Sequence, residues 1–383
     1  MAIPRGKRSR SRIVLALVAF AVLLAACGGG ADEPTAQEPG GQATEDGAPD
    51  DGETIDAGGE SPAEGEEIFL DDPYSQQLAA AAETTVDTSQ FKKEGPYRIA
   101  TIVQGPTNGW GTIFDTVMNY ELEQSGLIED QLYVPWDFTT ESQANGIDDA
   151  ISKNVDAILL TSLSRAGLAA PVERAAAAGI PVITCMAGVE SGAYTVEVSR
   201  NIPAMGYASA KRLAEEIGGQ GKVVLLHGIA GVDAAEFWRG GAMAALSEYP
   251  DVRVVAEEYG QWSVADATNA MRAVLTSQPQ IDGVWVGGLE MGVAVINTFQ
   301  EAGRDIPFIA GTNALNGFLR LAQENDVEFF VAQFPPAAAK VCVETMFKVL
   351  DGEPVQKFID VKDLMEGTEP FGNEQLDERY VPE

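Results

Sequence analysis

From Tyr97 onward, this chain alternates regularly between short apolar runs and alanine-rich stretches of helical periodicity. Apolar strands that alternate with helices are typical of parallel sheets covered on both faces, and right-handed crossovers then produce doubly wound α/β domains. We predict strands at 98–103, 131–135, 156–160, 181–185, 193–198, 222–226, 252–257, 282–286, 306–310 and 328–332. We predict helices at about 110–126, 141–153, 165–178, 202–218, 233–248, 263–278, 290–303, 313–324 and 336–351.

The number of strands favours two lobes. Ten strands are many for one sheet but natural for two sheets of five or six. The strand at 193–198 has no helix before it, which makes it a natural place for the chain to pass between lobes. An eightfold barrel is the competing architecture, and the uneven strand spacing counts against it.

The first 27 residues are typical of an export signal. Five basic residues between positions 5 and 12 precede a 14-residue apolar run at 13–26, too short to cross a hydrocarbon core of ~30 Å. The run ends in Leu-Ala-Ala-Cys27, which resembles the bacterial lipobox. We predict a lipoprotein signal peptide over 1–27, with Cys27 as the lipidated residue. An ordinary signal peptide or a short anchor helix is the alternative.

A segment of different composition follows. Residues 28–90 contain 17 acidic residues and neither lysine nor arginine, and residues 28–67 offer almost nothing to bury. Such a composition cannot offset the entropy cost of ordering. We predict an acidic, disordered tether over 28–90, with room for a short helix near 73–83.

Charge and composition exclude several classes of protein. The formal net charge of −33 argues against binding to nucleic acid or to an anionic membrane surface. Beyond Cys27 the chain has only Cys185, Cys342 and the single histidine His227, which form no zinc-binding pattern. We therefore predict no metal and no cofactor, and leave the pairing of the two cysteines open.

Polar and aromatic side chains follow two of the predicted strands. The first strand leads to Gln104, Asn108 and Trp110, and the strand at 252–257 leads to Trp262. Ligands of open parallel sheets bind beyond the carboxyl ends of the strands. Amides that hydrogen-bond hydroxyls and indoles that stack on a ring face suit a sugar or a polyol.

Together these stretches resemble the periplasmic binding proteins of the ribose/galactose type (type 1), which are sugar-binding subunits of ABC importers. The likeness spans 98–361 and depends on the Asn108/Trp110 loop, Ala178-Gly-Ile-Pro-Val-Ile-Thr184, Gly228-Ile-Ala-Gly231, the Met271 to Val284 run, Ala302-Gly303 and Ala332-Gln-Phe-Pro335. It implies two Rossmann-like α/β lobes joined by a three-strand hinge, with crossings near 199–201, 333–335 and 355–359. The N-terminal lobe would comprise 91–199 and 334–358, and the C-terminal lobe 200–333 and 359–383.

The resemblance also implies a set of ligand contacts: Gln104, Asn108, Trp110, Thr161, Ser199, Asn201, Trp262, Thr312 or Asn313, and Gln333. Met186 is a further candidate because its strand end faces the cleft. The family's Asp-Arg pair is replaced here by Met186-Ala187, and its Asn-Asp pair by Gly288-Leu289. Because an Asp and an Arg supply charge-assisted bonds to sugar hydroxyls, we expect a less charged pocket than one for ribose or galactose.

The resulting hypothesis is a monomeric, extracytoplasmic, lipid-anchored receptor for a sugar-like or polyol ligand, with ABC permease subunits as its partners. A receptor of the same fold that reports to a membrane sensor, or a binder of a non-sugar metabolite, is the alternative. An enzyme is not expected, since the chain has no Gly-x-Ser-x-Gly elbow, Walker A loop or dinucleotide fingerprint. We interpret His227 as a structural residue. A cytoplasmic repressor would need a helix-turn-helix where this chain has its lipobox.

Overall fold

A computed structural model of the protein describes residues 71–365 and 370–372. The predicted signal peptide, Cys27 and the tether up to residue 70 lie outside the described residues. Within them, the helices are α1 (Pro73–Ala82), α2 (Gly109–Ser125), α3 (Thr140–Ser152), α4 (Ala169–Ala177), α5 (Ile202–Glu216), α6 (Asp233–Ser247), α7 (Val264–Ser277), α8 (Gly292–Glu301), α9 (Asn316–Glu324) and α10 (Ala339–Leu350). In the described part of the chain, no helix is both long and apolar enough to span a membrane.

The strands are β1 (Thr85–Val86), β2 (Tyr97–Val103), β3 (Ile128–Pro135), β4 (Ala157–Leu160), β5 (Val182–Cys185), β6 (Val196–Ser199), β7 (Gln220–His227), β8 (Asp251–Tyr259), β9 (Gly283–Val286), β10 (Phe308–Thr312), β11 (Phe329–Ala332), β12 (Val355–Gln356), β13 (Phe358–Asp360) and β14 (Phe371–Gly372). All ten predicted strands are present. The four short strands β1, β12, β13 and β14 are additional.

The ten long strands, with β13 and β14 at one edge of each sheet, form two six-stranded sheets, which confirms the two-lobed α/β fold. The first lobe has the strand order β13-β6-β5-β4-β2-β3, and the second lobe has the order β14-β11-β10-β9-β7-β8. Every neighbouring pair in the first sheet is parallel, and in the second only β11 and β14 are antiparallel. The central strands β4, β5 and β9 are buried along their whole length, as expected for sheets covered by helices on both faces.

The chain crosses between the lobes where β6 leads into α5, and again where β11 leads towards α10. The third crossing differs from the expected position. Strand β13 pairs with β6 of the first lobe through Ile359 and Asp360, so the crossing lies after residue 360 and not near 355–359. Residues 359 and 360 thus belong to the first lobe and not, as expected from the sequence, to the C-terminal lobe. An edge strand of three residues is too short to give a clear periodic pattern of apolar residues.

Helices α5 and α6 of the second lobe pack unusually closely, through two glycines. A Cβ at Gly206 would lie 2.1 Å from the carbonyl oxygen of Trp238, and a Cβ at Gly241 would lie 1.9 Å from that of Pro203. Side chains at these positions would push the two helices apart. The contact therefore fixes the position of α6, which carries Trp238.

The short helix expected near 73–83 is present as α1, whereas the disorder expected for the rest of 71–90 is wrong. Asp72 caps α1 by accepting hydrogen bonds from the backbone N–H groups of Tyr74 and Ser75, and Tyr74 and Leu78 are buried. Strand β1 then pairs with β12. Burial of these two apolar side chains stabilises the ten-residue helix α1. The average composition of residues 28–90 does not show this, because the two side chains are few within an acidic segment.

Helix α1 contacts both lobes. The Tyr74 hydroxyl donates to Oε1 of Glu197 in β6 at 2.6 Å, and its ring stacks on Phe237 of α6 at 4.7 Å. The guanidinium of Arg165, in the first lobe, lies 4.0 Å from the centre of the Tyr74 ring. Burial, followed by the nearby Glu197 carboxylate, raises the pKa of Tyr74 well above its usual range, so the phenol remains a donor. Helix α1 is thus a strap across the two lobes.

Candidate functional site

A cavity lies between the lobes at the carboxyl ends of both sheets. The space between its lining atoms is about 440 Å³, a volume that includes the part open to solvent. Its lining residues follow four strands of the first lobe and four of the second: Gln104, Asn108, Trp110, Trp136, Ser162, Met186, Ala234, Trp238, Trp262, Gly288, Glu290 and Asn313.

Six of the eleven residues expected at the site line this cavity: Gln104, Asn108, Trp110, Met186, Trp262 and Asn313. The other five are Thr161, Ser199, Asn201, Thr312 and Gln333, and none of them is among the lining residues. The cause is local in each case.

Two of these differences are displacements of one residue. Thr161 and Thr312 directly precede the lining residues Ser162 and Asn313, and at Asn313 the backbone leaves the extended conformation of β10. Both threonine hydroxyls are buried, and neither finds a hydrogen-bond partner among the described residues.

The other three residues form local hydrogen bonds near the points where the chain crosses between the lobes. The Gln333 amide donates to the Ala314 carbonyl oxygen at 3.1 Å and accepts from the Ala314 N–H at 2.9 Å. Asn201 caps α5 by accepting from the Ala204 N–H, and the Ser199 hydroxyl donates to the Arg200 carbonyl oxygen. These polar groups contribute to the geometry of the crossings.

Four indoles surround the cavity, and three of them are fixed by their N–H groups. Trp110 donates to the Phe334 carbonyl oxygen at 3.0 Å, Trp136 to that of Thr161 at 3.0 Å, and Trp262 to that of Gly287 at 2.8 Å. Because these N–H groups are already hydrogen-bonded, a ligand would contact the three side chains through their ring faces and edges.

Trp262 is the most tightly held of the four. Its ring lies against the backbone of two glycines, so that a Cβ at Gly228 would be 2.2 Å from Cε2 and a Cβ at Gly288 would be 3.0 Å from Cδ1. Trp238 meets it edge to face at a centroid distance of 6.2 Å. Only residues without a side chain leave room for the indole here.

Two buried polar groups of the cavity wall lack a hydrogen-bond partner within the described part of the chain. They are the Ser162 hydroxyl and the Trp238 indole N–H, on residues that are 1% and 2% exposed. A buried polar group without a partner costs free energy. Both groups are therefore available to a ligand with hydroxyl groups.

Three lining residues other than glycine have left-handed backbone: Met186 (φ 88°), Trp262 (φ 49°) and Asn313 (φ 52°). Such conformations cost of order 1–3 kcal/mol for residues other than glycine and cluster at functional sites. Asn313 is held by accepting the Phe334 N–H at 2.9 Å.

Glu290 is the acidic member of the lining set, and it links the lobes. Its carboxylate lies beside the backbone N–H groups of Gly109 and Trp110, at the start of α2 in the first lobe, and these groups favour its ionised form. Burial raises the pKa of Glu290 from its ordinary value of 4.5 to about 7, against the opposing effect of these two N–H groups. A second link joins the lobes where Asp233 accepts the Arg165 N–H at 2.5 Å.

The pKa of Glu290 predicts a dependence of stability on pH. The raised pKa means that the folded protein binds this proton more tightly than the unfolded chain does, so its contribution to stability is fully present below about pH 4.5 and is lost as the pH rises to about 7. Between pH 5 and 7.5, the melting temperature of the wild type should fall a few degrees relative to that of Glu290→Gln. Parallel curves for the two proteins would contradict the prediction. Glu324→Gln, at an exposed position of the same lobe, should follow the wild type.

His227 lies away from the cavity lining, as a structural interpretation requires. It is buried between the rings of Tyr259 and Trp285, and its Nε2 is 3.1 Å from Oε2 of Glu257. Burial lowers the pKa of His227, although Glu257 opposes this effect.

Six lining residues were missed: Trp136, Ser162, Ala234, Trp238, Gly288 and Glu290. Trp136 directly follows β3 and Glu290 follows β9, so a search of every strand end would have found both. Trp238 gave no such signal, because it lies more than one turn inside α6.

A cavity between the carboxyl ends of two parallel sheets, on lobes joined by chain crossings, defines a two-lobed ligand-binding protein. A family model described as the periplasmic binding protein domain matches residues 99–354, so the chain belongs to that family.

The chain is 31% identical over 187 residues to the xylitol-binding protein of Mycolicibacterium smegmatis, covering 48% of this chain and 53% of that protein. The match thus spans about half the length of this relative. The chain is also 25% identical over 289 residues to the D-apiose import binding protein of Paraburkholderia graminis, covering 73% and 91% of the two chains.

Two solved structures show the same fold. A solute-binding protein from Actinobacillus succinogenes with bound D-allose has a TM-score of 0.63 and 23% identity, covering 74% of this chain and 99% of its own. A solute-binding protein from Mycobacterium smegmatis with bound glycerol has a TM-score of 0.61 and 25% identity, covering 69% and 91%.

Proposed function

We propose that this protein is the extracytoplasmic solute-binding component of an ABC importer and binds a sugar-like or polyol ligand between its lobes. The observation that carries the proposal is the composition of the cavity wall. Four indoles from both lobes surround it, and two buried donors, the Ser162 hydroxyl and the Trp238 N–H, have no partner among the described residues. Indole faces suit the C–H face of a ring or polyol, and unpaired donors suit its hydroxyl oxygens.

The relatives support the same ligand class. Two of them are named for import or binding of xylitol and D-apiose, and a structural neighbour of 25% identity holds glycerol. We further propose that the protein binds without catalysing a reaction, is anchored through a lipid on Cys27, and works as a monomer with membrane permease subunits. Closure of the lobes about the hinge would bury the ligand and create the surface that the permease recognises.

A thermal-shift screen tests the ligand class. Xylitol, ribose, D-allose, myo-inositol and glycerol should be added separately to the purified protein, with small organic acids as a comparison set. A true ligand at 100 times its dissociation constant stabilises the folded state by ~2.7 kcal/mol, which raises the melting temperature by several degrees. Equal melting temperatures across all the polyols and sugars would contradict the proposal.

The transport role needs a separate measurement in cells. Deletion of the protein should abolish uptake of the radiolabelled ligand found in the screen. Normal uptake, accompanied by loss of a transcriptional response to the ligand, would instead assign the protein to a membrane sensor.

A further inference from the structure

The charge of the cavity wall is unbalanced. Glu290 is its one acidic residue, and no lysine, arginine or histidine is among the lining residues that the structure describes. The lining contributes tryptophan, amide, hydroxyl, methionine and small side chains besides this carboxylate. A ligand that enters the cavity therefore meets one acidic group and four indoles.

Aromatic rings and a carboxylate together attract a cation. The face of an indole is the strongest aromatic partner of a positive charge, and the attraction increases when both groups are shielded from water. All four tryptophans of the wall are buried, with exposures between 2% and 8%. The backbone N–H of Trp110 lies beside the Glu290 carboxylate, so one of the four indole-bearing residues adjoins the acid.

The two N–H groups of α2 do not complete the surroundings of the Glu290 carboxylate. A carboxylate has about four acceptor positions, and these two N–H groups can fill at most two of them. Burial outweighs both N–H groups in its effect on the pKa of Glu290, so the protein groups around it under-compensate the ionised form. A positive charge in the cavity would supply the missing compensation.

We propose that the ligand of this cavity carries a protonated amino or quaternary ammonium group in addition to its hydroxyl groups. This inference rests on the proposed solute-binding function and narrows its ligand class. The hydroxyls face Ser162 and Trp238, while the cationic group lies among the indoles near Glu290.

Matched pairs of ligands that differ only in charge test the inference. Titration calorimetry at pH 7.5 should compare 1-amino-1-deoxysorbitol with sorbitol, and choline with its uncharged isostere 3,3-dimethylbutan-1-ol. In at least one pair, the cationic member should bind the wild-type protein at least tenfold more tightly than the neutral member.

Two variants locate the origin of this preference. In Glu290→Gln, the ratio of the two affinities should fall towards one, whereas Glu290→Asp, which retains the charge, should keep the cationic member ahead. The exposed control Glu324→Gln should leave the ratio unchanged.

Each outcome separates this inference from the proposed function. Neutral members that bind as tightly as the cationic members in both pairs would overturn the ammonium inference and leave the polyol function in place. If no sugar, polyol or amine of either set binds the wild type, both fail. The wild-type comparison decides the question even if the Glu290→Gln protein does not fold.

Discussion

Replacing Trp262 with alanine should weaken binding of the best sugar or polyol ligand at least tenfold, or by about 1.4 kcal/mol or more. The indole is held in place by its hydrogen bond to the Gly287 carbonyl oxygen and by the backbones of Gly228 and Gly288. Because the indole is already fixed, little conformational entropy is lost when a ligand stacks on it. The substitution removes the indole and also the ring edge that supports Trp238. Titration calorimetry on the wild type and the variant measures the effect.

Trp285→Phe is the matched control for this substitution. Trp285 belongs to the same lobe but lies within β9, where its N–H donates to the Ser209 hydroxyl at 2.9 Å, and it does not line the cavity. The control should lower the melting temperature without changing the affinity. Equal affinities of Trp262→Ala and the wild type would refute a role for this indole in binding.

Replacing Tyr74 with alanine should lower the free energy of unfolding by about 3 kcal/mol or more. Loss of a large buried aromatic side chain leaves a cavity, and such substitutions typically cost ~3–5 kcal/mol. The substitution also removes the stacking on Phe237, the contact with the Arg165 guanidinium and the hydrogen bond to Glu197. Urea denaturation followed by circular dichroism measures the loss.

Two further variants test why Tyr74 matters. Tyr74→Phe keeps the ring, so its free energy of unfolding should fall by only about 1–2 kcal/mol. This smaller loss arises because the buried Glu197 oxygen no longer has its donor. Tyr120→Ala, at a side chain that is 56% exposed in α2, should change stability by less than about 0.5 kcal/mol. If Tyr74→Ala were as stable as Tyr120→Ala, the contact of α1 with both lobes would not contribute to stability.

The lobes could be predicted because their signal is periodic and repeated. The ten long strands of the two sheets are short runs beside helices, and ten such runs indicate the fold class even when individual boundaries are displaced. For the strap, the sequence indicates a short helix near 73–83, which matches α1, but gives no sign that this helix is buried. Its burial comes from Tyr74 and Leu78 within a segment whose overall composition is acidic, so the average hides the two side chains that matter.

Part of the site could be predicted from the rule that ligands bind beyond the carboxyl ends of parallel strands. Gln104, Met186 and Asn313, which follow strands, are among the residues that line the cavity. The rule could not decide which of two neighbouring residues faces the cavity, and therefore selected Thr161 in place of Ser162. It also could not find Trp238, whose position depends on how closely α6 packs on α5 through glycine.

The distribution of tryptophan has a practical consequence. The chain contains five tryptophans, and four of them form the wall of the interlobe cavity. Indole emission responds to the polarity and contacts of its surroundings, so most of the intrinsic fluorescence of this protein arises where a solute would be captured. The fifth, Trp285, is buried in a sheet and provides a nearly constant background. The protein thus carries its own optical reporter of occupancy and needs no added dye.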